Sequence, residues 1–73
     1  MSDQSFTLTP GNEFIPLDKF LKLLNLVGSG GEAHMIIDEG MVSVNGEVEL
    51  RKRRKLRAGD VVEFNGEQIR VEA

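Results

Sequence analysis

Leu17-Asp-Lys-Phe-Leu-Lys-Leu-Leu24, then after a short break Ser29-Gly-Gly-Glu-Ala-His-Met-Ile-Ile-Asp-Glu-Gly40, is the stretch whose reading decides how this chain folds. Leu17, Phe20, Leu21 and Leu24 fall at i, i+3, i+4 and i+7, the stripe by which an amphipathic helix meets a core, while Asp18 and Lys22 on the other face are spaced to pair at i, i+4. Pro16 suits a first helical turn, and Gly28 suits the left-handed position just past a helix end. Ser29 to Glu32 reads as a capping box, with Ser29 as N-cap and Glu32 three residues on. It opens a second helix whose apolar face is Ala33, Ile36 and Ile37 and which stops at Gly40. Two helices meeting at a tight corner are therefore expected.

Beyond Gly40 the hydrophobic period falls from 3.6 to 2: Val42, Val44, then Val48 and Leu50, with Ser43, Glu47 and Glu49 between them. Asn65-Gly66 joins Val61–Phe64 to a strand from Glu67 to Val71. A two-residue type I′ turn there pairs Phe64 with Glu67 and Val62 with Ile69, which puts Val62, Phe64, Ile69 and Val71 on one face. The same turn at Asn45-Gly46 gives a conflict, because pairing Val44 with Glu47 turns Val48 and Leu50 to the face opposite Val42 and Val44. A three-residue loop or a bulge is expected to repair it. On the N-terminal side, Phe6-Thr-Leu8 alternates and then meets Pro10-Gly11-Asn12, which reads as a short edge strand ending in a turn. The chain is predicted to be α+β: a two-helix corner packed on a small, mostly antiparallel sheet.

Seventy-three residues make one small domain, which buries only about 60% of the surface its unfolded chain exposes and should be stable by a few kcal/mol. A 40% hydrophobic and 29% charged composition is that of a globular chain. Without cysteine it has no disulfides, thiolate chemistry or Cys-ligated zinc. The start, Met1-Ser-Asp-Gln-Ser5, lacks a basic segment followed by an apolar one, and no apolar run approaches the roughly 20 residues of a membrane helix. The expected location is cytoplasmic, with no membrane partner.

Charge is segregated along the chain. Arg51, Lys52, Arg53, Arg54, Lys55 and Arg57 are six of its nine cations, within seven residues and with no acid among them. That segment carries +6, while the remainder, three Lys or Arg against twelve Asp or Glu, carries −9, giving the net −3. Concentrated like charge costs folding free energy through self-repulsion, so a compact domain that keeps it usually presents it to a polyanion. Arg offers phosphate a flat fork of donors and Lys a mobile point charge, a mixture suited to tracking a nucleic-acid backbone. Leu56 interrupts the run and is expected to plug the core, pinning the cations to the fold.

The order helix, tight corner, helix, Gly, short strand ending in Asn-Gly, then Leu-x-x-Gly-Asp before a valine strand resembles a known family. It rests on Leu17-Asp-Lys-Phe-Leu21, Gly31-Glu-Ala33, Glu39-Gly-Met-Val-Ser-Val-Asn-Gly46 and Leu56-Arg-Ala-Gly-Asp-Val-Val-Glu63. The chain looks like the S-four RNA-binding domain, or alpha-L RNA-binding motif, with its motif core at about 16–64 and extra terminal strands as in small stand-alone bacterial members. The resemblance implies a non-catalytic module, without cofactor, that binds structured RNA in a groove lined by the two helices and the strand and loop after them. Ribosomal RNA, a ribosome precursor or a tRNA-like fold would be the target, bound by a monomer with possible ribosome association. Carried onto this sequence, the contact residues would be Lys19, Lys22, Ser29, Gly30, Gly31, His34, Ser43, Asn45, Arg51, Lys52, Arg53, Arg54, Lys55 and Arg57. Relatives often carry Arg or Lys where this chain has Gly30, Gly31, His34 and Ser43, which shifts the expected phosphate contact towards the basic run.

Several of these residues also have a plainer reading. Gly30 and Gly31 leave the first N–H groups of the second helix open to an anion, yet a tight corner also calls for small residues. His34 and Met35 lie off the apolar stripe, so a groove hydrogen bond and a rim contact are their expected roles; a lone histidine is no metal site. Asn45-Gly46 is explained by turn chemistry, and Asp60 is a turn-former ahead of the next strand. Carboxylates such as Asp38, Glu39, Glu47 and Glu49 have no nucleophile or oxyanion donors with them, so no active site is expected.

DNA binding through a helix-turn-helix is weaker, because the second helix offers Glu32, Asp38 and Glu39 and neither Arg nor Lys to base edges. Scarce aromatics argue against single-strand stacking platforms. Val44-Asn-Gly-Glu-Val48 with Leu56-x-x-Gly-Asp also resembles the β-grasp sulfur carriers, which end in Gly-Gly where this chain has Val71-Glu72-Ala73. A protein-docking module whose basic loop meets an acidic partner is the remaining alternative.

Overall fold

The computed structural model describes residues 3–73. In chain order the elements are β1 (Asp3–Thr7), β2 (Ile15–Pro16), α1 (Leu17–Leu23), α2 (Gly30–Asp38), β3 (Val42–Val44), β4 (Glu47–Val48), β5 (Lys55–Leu56), β6 (Val61–Phe64) and β7 (Glu67–Glu72). Five strands form one sheet in the order β1-β7-β6-β3-β4, antiparallel except where β1 runs parallel to β7; β2 and β5 form a separate antiparallel pair. This is the expected α+β arrangement of a helix corner on a mostly antiparallel sheet. Phe6 lies on the sheet's edge strand, its ring edge-on to that of Phe20 with centroids 5.5 Å apart.

Both helices bury the faces their periodicity marks. Leu17, Phe20 and Leu21 of α1 and Ala33, Ile36 and Ile37 of α2 join Val42, Val44, Leu56, Val62, Ile69 and Val71 in one core. Each fully buried large side chain contributes roughly 1.5–3 kcal/mol. Leu56 is fully buried, as a plug should be.

The end of α1 differs from expectation. Asn25, at φ 58°, takes the left-handed position assigned to Gly28; its N–H donates to Lys22 O at 3.0 Å and the Leu26 N–H to Leu21 O at 3.1 Å. That is a Schellman closure, and asparagine tolerates the conformation well enough to stop the helix about a turn before the glycine. The Ser29 cap holds: its Oγ accepts from the Glu32 N–H at 3.2 Å. Glu32 reaches back one residue further than a standard box, accepting from the Gly28 N–H at 2.7 Å. Asp18 turns away from Lys22 to His34 of α2, at 3.0 Å, so the expected i, i+4 pair gives way to a bridge between helices.

The conflict at Asn45-Gly46 is resolved in the other direction from the expected loop or bulge. Asn45 and Gly46 both have positive φ, 54° and 85°, the two-residue turn stands, and Val44 pairs with Glu47 and Ser43 with Val48. Val48 and Leu50 consequently face out, 58% and 59% exposed, and Glu49, which donates its N–H to Val42 O at 2.9 Å, faces in at 6%. Turn chemistry and the arginines that receive Glu49 outweigh the apolar alternation. The Asn65-Gly66 hairpin has the expected register, with Ile69 and Val71 buried beside Val62.

This register predicts opposite outcomes for two leucines in the same loop region. Leu56→Ala should cost about 2–5 kcal/mol in urea or thermal unfolding, whereas Leu50→Ala should stay within about 0.5 kcal/mol of the parent. Comparable losses would mean that Leu50 is also in the core.

Candidate nucleic-acid interface

The basic run is a loop fastened to the fold at four kinds of point. Arg51 donates to Glu49 from its backbone N–H, Nε and a terminal nitrogen at 2.9, 3.0 and 3.1 Å, and Arg54 donates at 2.7 Å. The Glu49 carboxylate is thus enclosed by two guanidinium groups and an amide. Behind them, Arg54 O accepts from the Leu17 N–H at 2.8 Å and Lys52 O from the Asp18 N–H at 3.0 Å. The loop's own carbonyls therefore cap the first turn of α1, whose Pro16 N-cap has no side-chain cap to offer. Lys52 Nζ meets Asp38 Oδ2 at the end of α2 at 3.2 Å, and Leu56 anchors the far end in the core.

With Arg51 and Arg54 turned to Glu49, Arg53 is left to face the helices. It lines a groove of about 400 Å³ with Lys19, Lys22, Leu23, Gly30 and His34. His34 forms one wall, its Nε2 set by Asp18 Oδ2. Burial would raise the Asp18 carboxyl pKa, but the hydrogen bonds from His34 and the Lys19 N–H, with the charge of Arg53, hold it below the ordinary value. Arg51, Arg53, Arg54 and Lys55 line an adjoining concavity of about 460 Å³. Lys55 Nζ and Arg57 Cζ lie 5.0 and 5.7 Å from the centroid of the Phe14 ring. Among the described residues, the Lys19, Lys22, Arg53, Lys55 and Arg57 side chains have no carboxylate within ion-pair distance.

The residues singled out in the sequence thus divide. Lys19, Lys22, Gly30, His34 and Arg53 converge on one groove, and Arg51, Arg54 and Lys55 continue it. Ser43 sits elsewhere, on the sheet between Val48 and Glu63, and Asn45 is occupied within the fold. Asn45 donates to Asp60 Oδ1 at 3.0 Å and accepts the Val61 N–H at 2.9 Å. Asp60 in turn accepts the Arg57 N–H at 2.8 Å, which makes it the expected turn-former and also ties two loops together. Ser29 spends its hydroxyl on the cap. Gly30 and Gly31 have room for a methyl group, the nearest atoms being 4.0 and 3.9 Å from its place, so steric crowding at the corner does not explain them.

Three participants escaped the sequence reading. Phe14 has no periodic signal; Asp18 had a nearer apparent partner in Lys22; Glu49 was legible in the hairpin register, had the two-residue turn been accepted at face value.

The chain is similar to known proteins over most of its length. The family model described as "S4 domain" matches residues 8–72. "Probable ribosome maturation protein RlbA" of Bacillus subtilis (strain 168) is 48% identical over 54 residues, which cover 74% of this chain and 76% of that protein. "Putative RNA-binding protein YbcJ" of Escherichia coli (strain K12) is 44% identical over 59 residues, 81% of this chain and 84% of its own. The solution structure of YbcJ from E. coli, whose title describes an "alfaL" motif involved in RNA binding, superposes with a TM-score of 0.73 at 38% identity, covering 100% of this chain and 91% of that one.

The Glu49 cluster predicts an acid-sensitive loop. Hydrogen bonds from Arg51, then from Arg54, hold the Glu49 carboxyl at about 2 instead of 4.5, against burial, which would raise it. A depressed carboxylate stabilises fully above its unfolded value and loses that contribution as pH falls from 4.5 towards about 2. Glu49→Gln should therefore lower stability at neutral pH by about 1–3 kcal/mol, and the gap between the two proteins should close through that window. Melts at a series of pH values check it; a gap independent of pH would assign the loss to packing.

Proposed function

The chain belongs to the S4 domain family, and from that premise we propose that it binds structured RNA through the groove between α1, α2 and the basic loop and carries out no chemistry of its own. The observation that carries this reading is the meeting of Arg53 with Lys19, Lys22, Gly30 and His34 around one groove. Cations from a helix face and from a loop more than thirty residues later share a concave surface, with the Asp18 carboxylate on its wall hydrogen-bonded to His34 and none of the cations within ion-pair distance of it. Shape and phosphate recognition of a folded RNA fit such a surface better than base reading. Ribosomal RNA or a ribosome precursor is the target we favour, on the strength of the name of the B. subtilis relative, with the protein acting as a monomer. Membership of this family sets aside the sulfur-carrier resemblance.

Each phosphate neutralised adds about 0.7–0.9 to the slope of log K against log salt. If the five cations without carboxylate partners make the contacts, the slope for a structured RNA should be roughly −3.5 to −4.5. Arg53→Glu should abolish most binding with an unchanged melt, and Arg70→Glu, on β7, should do little. Equal losses from the two would mean that overall charge governs association. A slope near zero would overturn the reading.

Gly30 allows a second test. A methyl group there meets only Lys22 Cδ, at 4.0 Å, and alanine is the better helix former by about 1 kcal/mol. Gly30→Ala should melt no lower than the parent, while the methyl crowds a phosphate approaching the α2 N-terminus and weakens RNA binding. Undiminished binding would place the phosphates along the cations only.

A further inference from the structure

Phe14 is the most exposed of the chain's four phenylalanines, at 38%, and it lies against two cations that have no carboxylate partner. The ring closes one side of a depression of about 240 Å³ whose walls also include Leu23, Lys19, Thr9 and Asn12. Leu23 is 54% exposed, so two of the large apolar side chains left open to solvent face the same small space. Pro16, Lys19 and Leu23 line both this depression and the helix groove, so the two are continuous across Lys19.

From this juxtaposition we infer a nucleobase subsite: one unpaired base, next to the structured part of the bound RNA, stacks on Phe14 against Leu23. This extends the RNA-binding reading and rests on it. The chemistry suits a base better than a purely apolar ligand or a phosphate alone. An aromatic face and an aliphatic wall hold the flat ring, and the Thr9 hydroxyl and Asn12 amide supply donors and acceptors for its edge. Lys55 and Arg57 are placed to hold the flanking phosphates. Both already lie against the ring within cation–π distance, and a negative phosphate draws such cations off an aromatic face at small cost, because the exposed interaction is weak. The cations lie over the ring and leave the depression beside it open, so a base can enter while Lys55 and Arg57 turn to its phosphates.

The subsite is tested with a short RNA hairpin carrying a single-stranded overhang and with the same hairpin whose overhang is abasic, so that phosphates are equal and only bases differ. Wild-type protein should prefer the intact overhang by about 5- to 150-fold, the size of one base–aromatic stack. Phe14→Leu, which keeps an apolar side chain, should lose that preference, binding the two hairpins equally. As the chain has neither tryptophan nor tyrosine, Phe14→Trp introduces a sole indole emitter. Its fluorescence should be quenched by the intact overhang and little changed by the abasic one, a readout that does not depend on how Phe14→Leu folds. Equal affinity of the wild type for both hairpins, or equal quenching by both, overturns the subsite and leaves the groove reading intact. Failure of the wild type to bind either hairpin at low salt overturns both.

Discussion

Six cations in seven residues repel one another, and the inward-facing carboxylate of Glu49 is the centre of the contacts that hold their loop in place. Glu49 binds Arg51 and Arg54 at once and lies almost wholly out of solvent. Taking a carboxylate out of water is costly, and it is offset only when its lone pairs are met by good donors, which Glu49 has in four hydrogen bonds. The same contacts choose which cations stay available. Arg51 and Arg54 turn inward or along the surface, Lys52 goes to Asp38, and Arg53, Lys55 and Arg57 are left for other partners. The loop's carbonyls then complete the first turn of α1, so the helix start and the basic surface are tied by the same hydrogen bonds.

How much of this the sequence disclosed follows from the range of each interaction. Helix stripes, the Ser29 cap, the buried Leu56 and the Asn65-Gly66 hairpin are local patterns that bury what they mark, and they were legible. The α1 terminus was misplaced because Gly28 is the stronger textual signal, although Asn25 supplies the left-handed residue first. At Asn45-Gly46 two local rules disagreed, turn type against hydrophobic alternation, and the deciding term was the ionic cluster around Glu49, which alternation cannot express.

Of the candidate site, the basic run, Lys19, Lys22, Gly30 and His34 were singled out from the sequence and meet in space, whereas Ser43 lies apart and the internal arrangement was not legible. Arg53 lines the groove while Glu49 holds Arg51 and Arg54 and Asp38 holds Lys52, an arrangement set by acids that the basic run itself does not contain. That His34 has a partner depends on Asp18 lying across the helix corner from it, sixteen residues away. Asn45, expected from the resemblance as a contact residue, also acts within the fold as a clasp, joining Asp60 and Val61 across the turn before β6. A motif lists the residues a family shares at a surface; it does not say which of them hold the surface up.

The acids inside and around the basic loop also explain how a chain of net charge −3 can work as a polyanion-binding one. Asp18, Asp38, Glu49 and Asp60 are each engaged by a donor in or beside the site, so they shape it more than they cancel it. Glu63 and Glu67 on the sheet line a different concavity, with Met41 and Ser43, and would repel phosphate there. An RNA approaching such a molecule is attracted on one face and turned away on the others, so segregated charge supplies orientation as well as affinity. A uniformly basic domain of this size would bind RNA by any side; on the proposed reading, the acidic remainder would confine association to the face where Arg53 meets the helices.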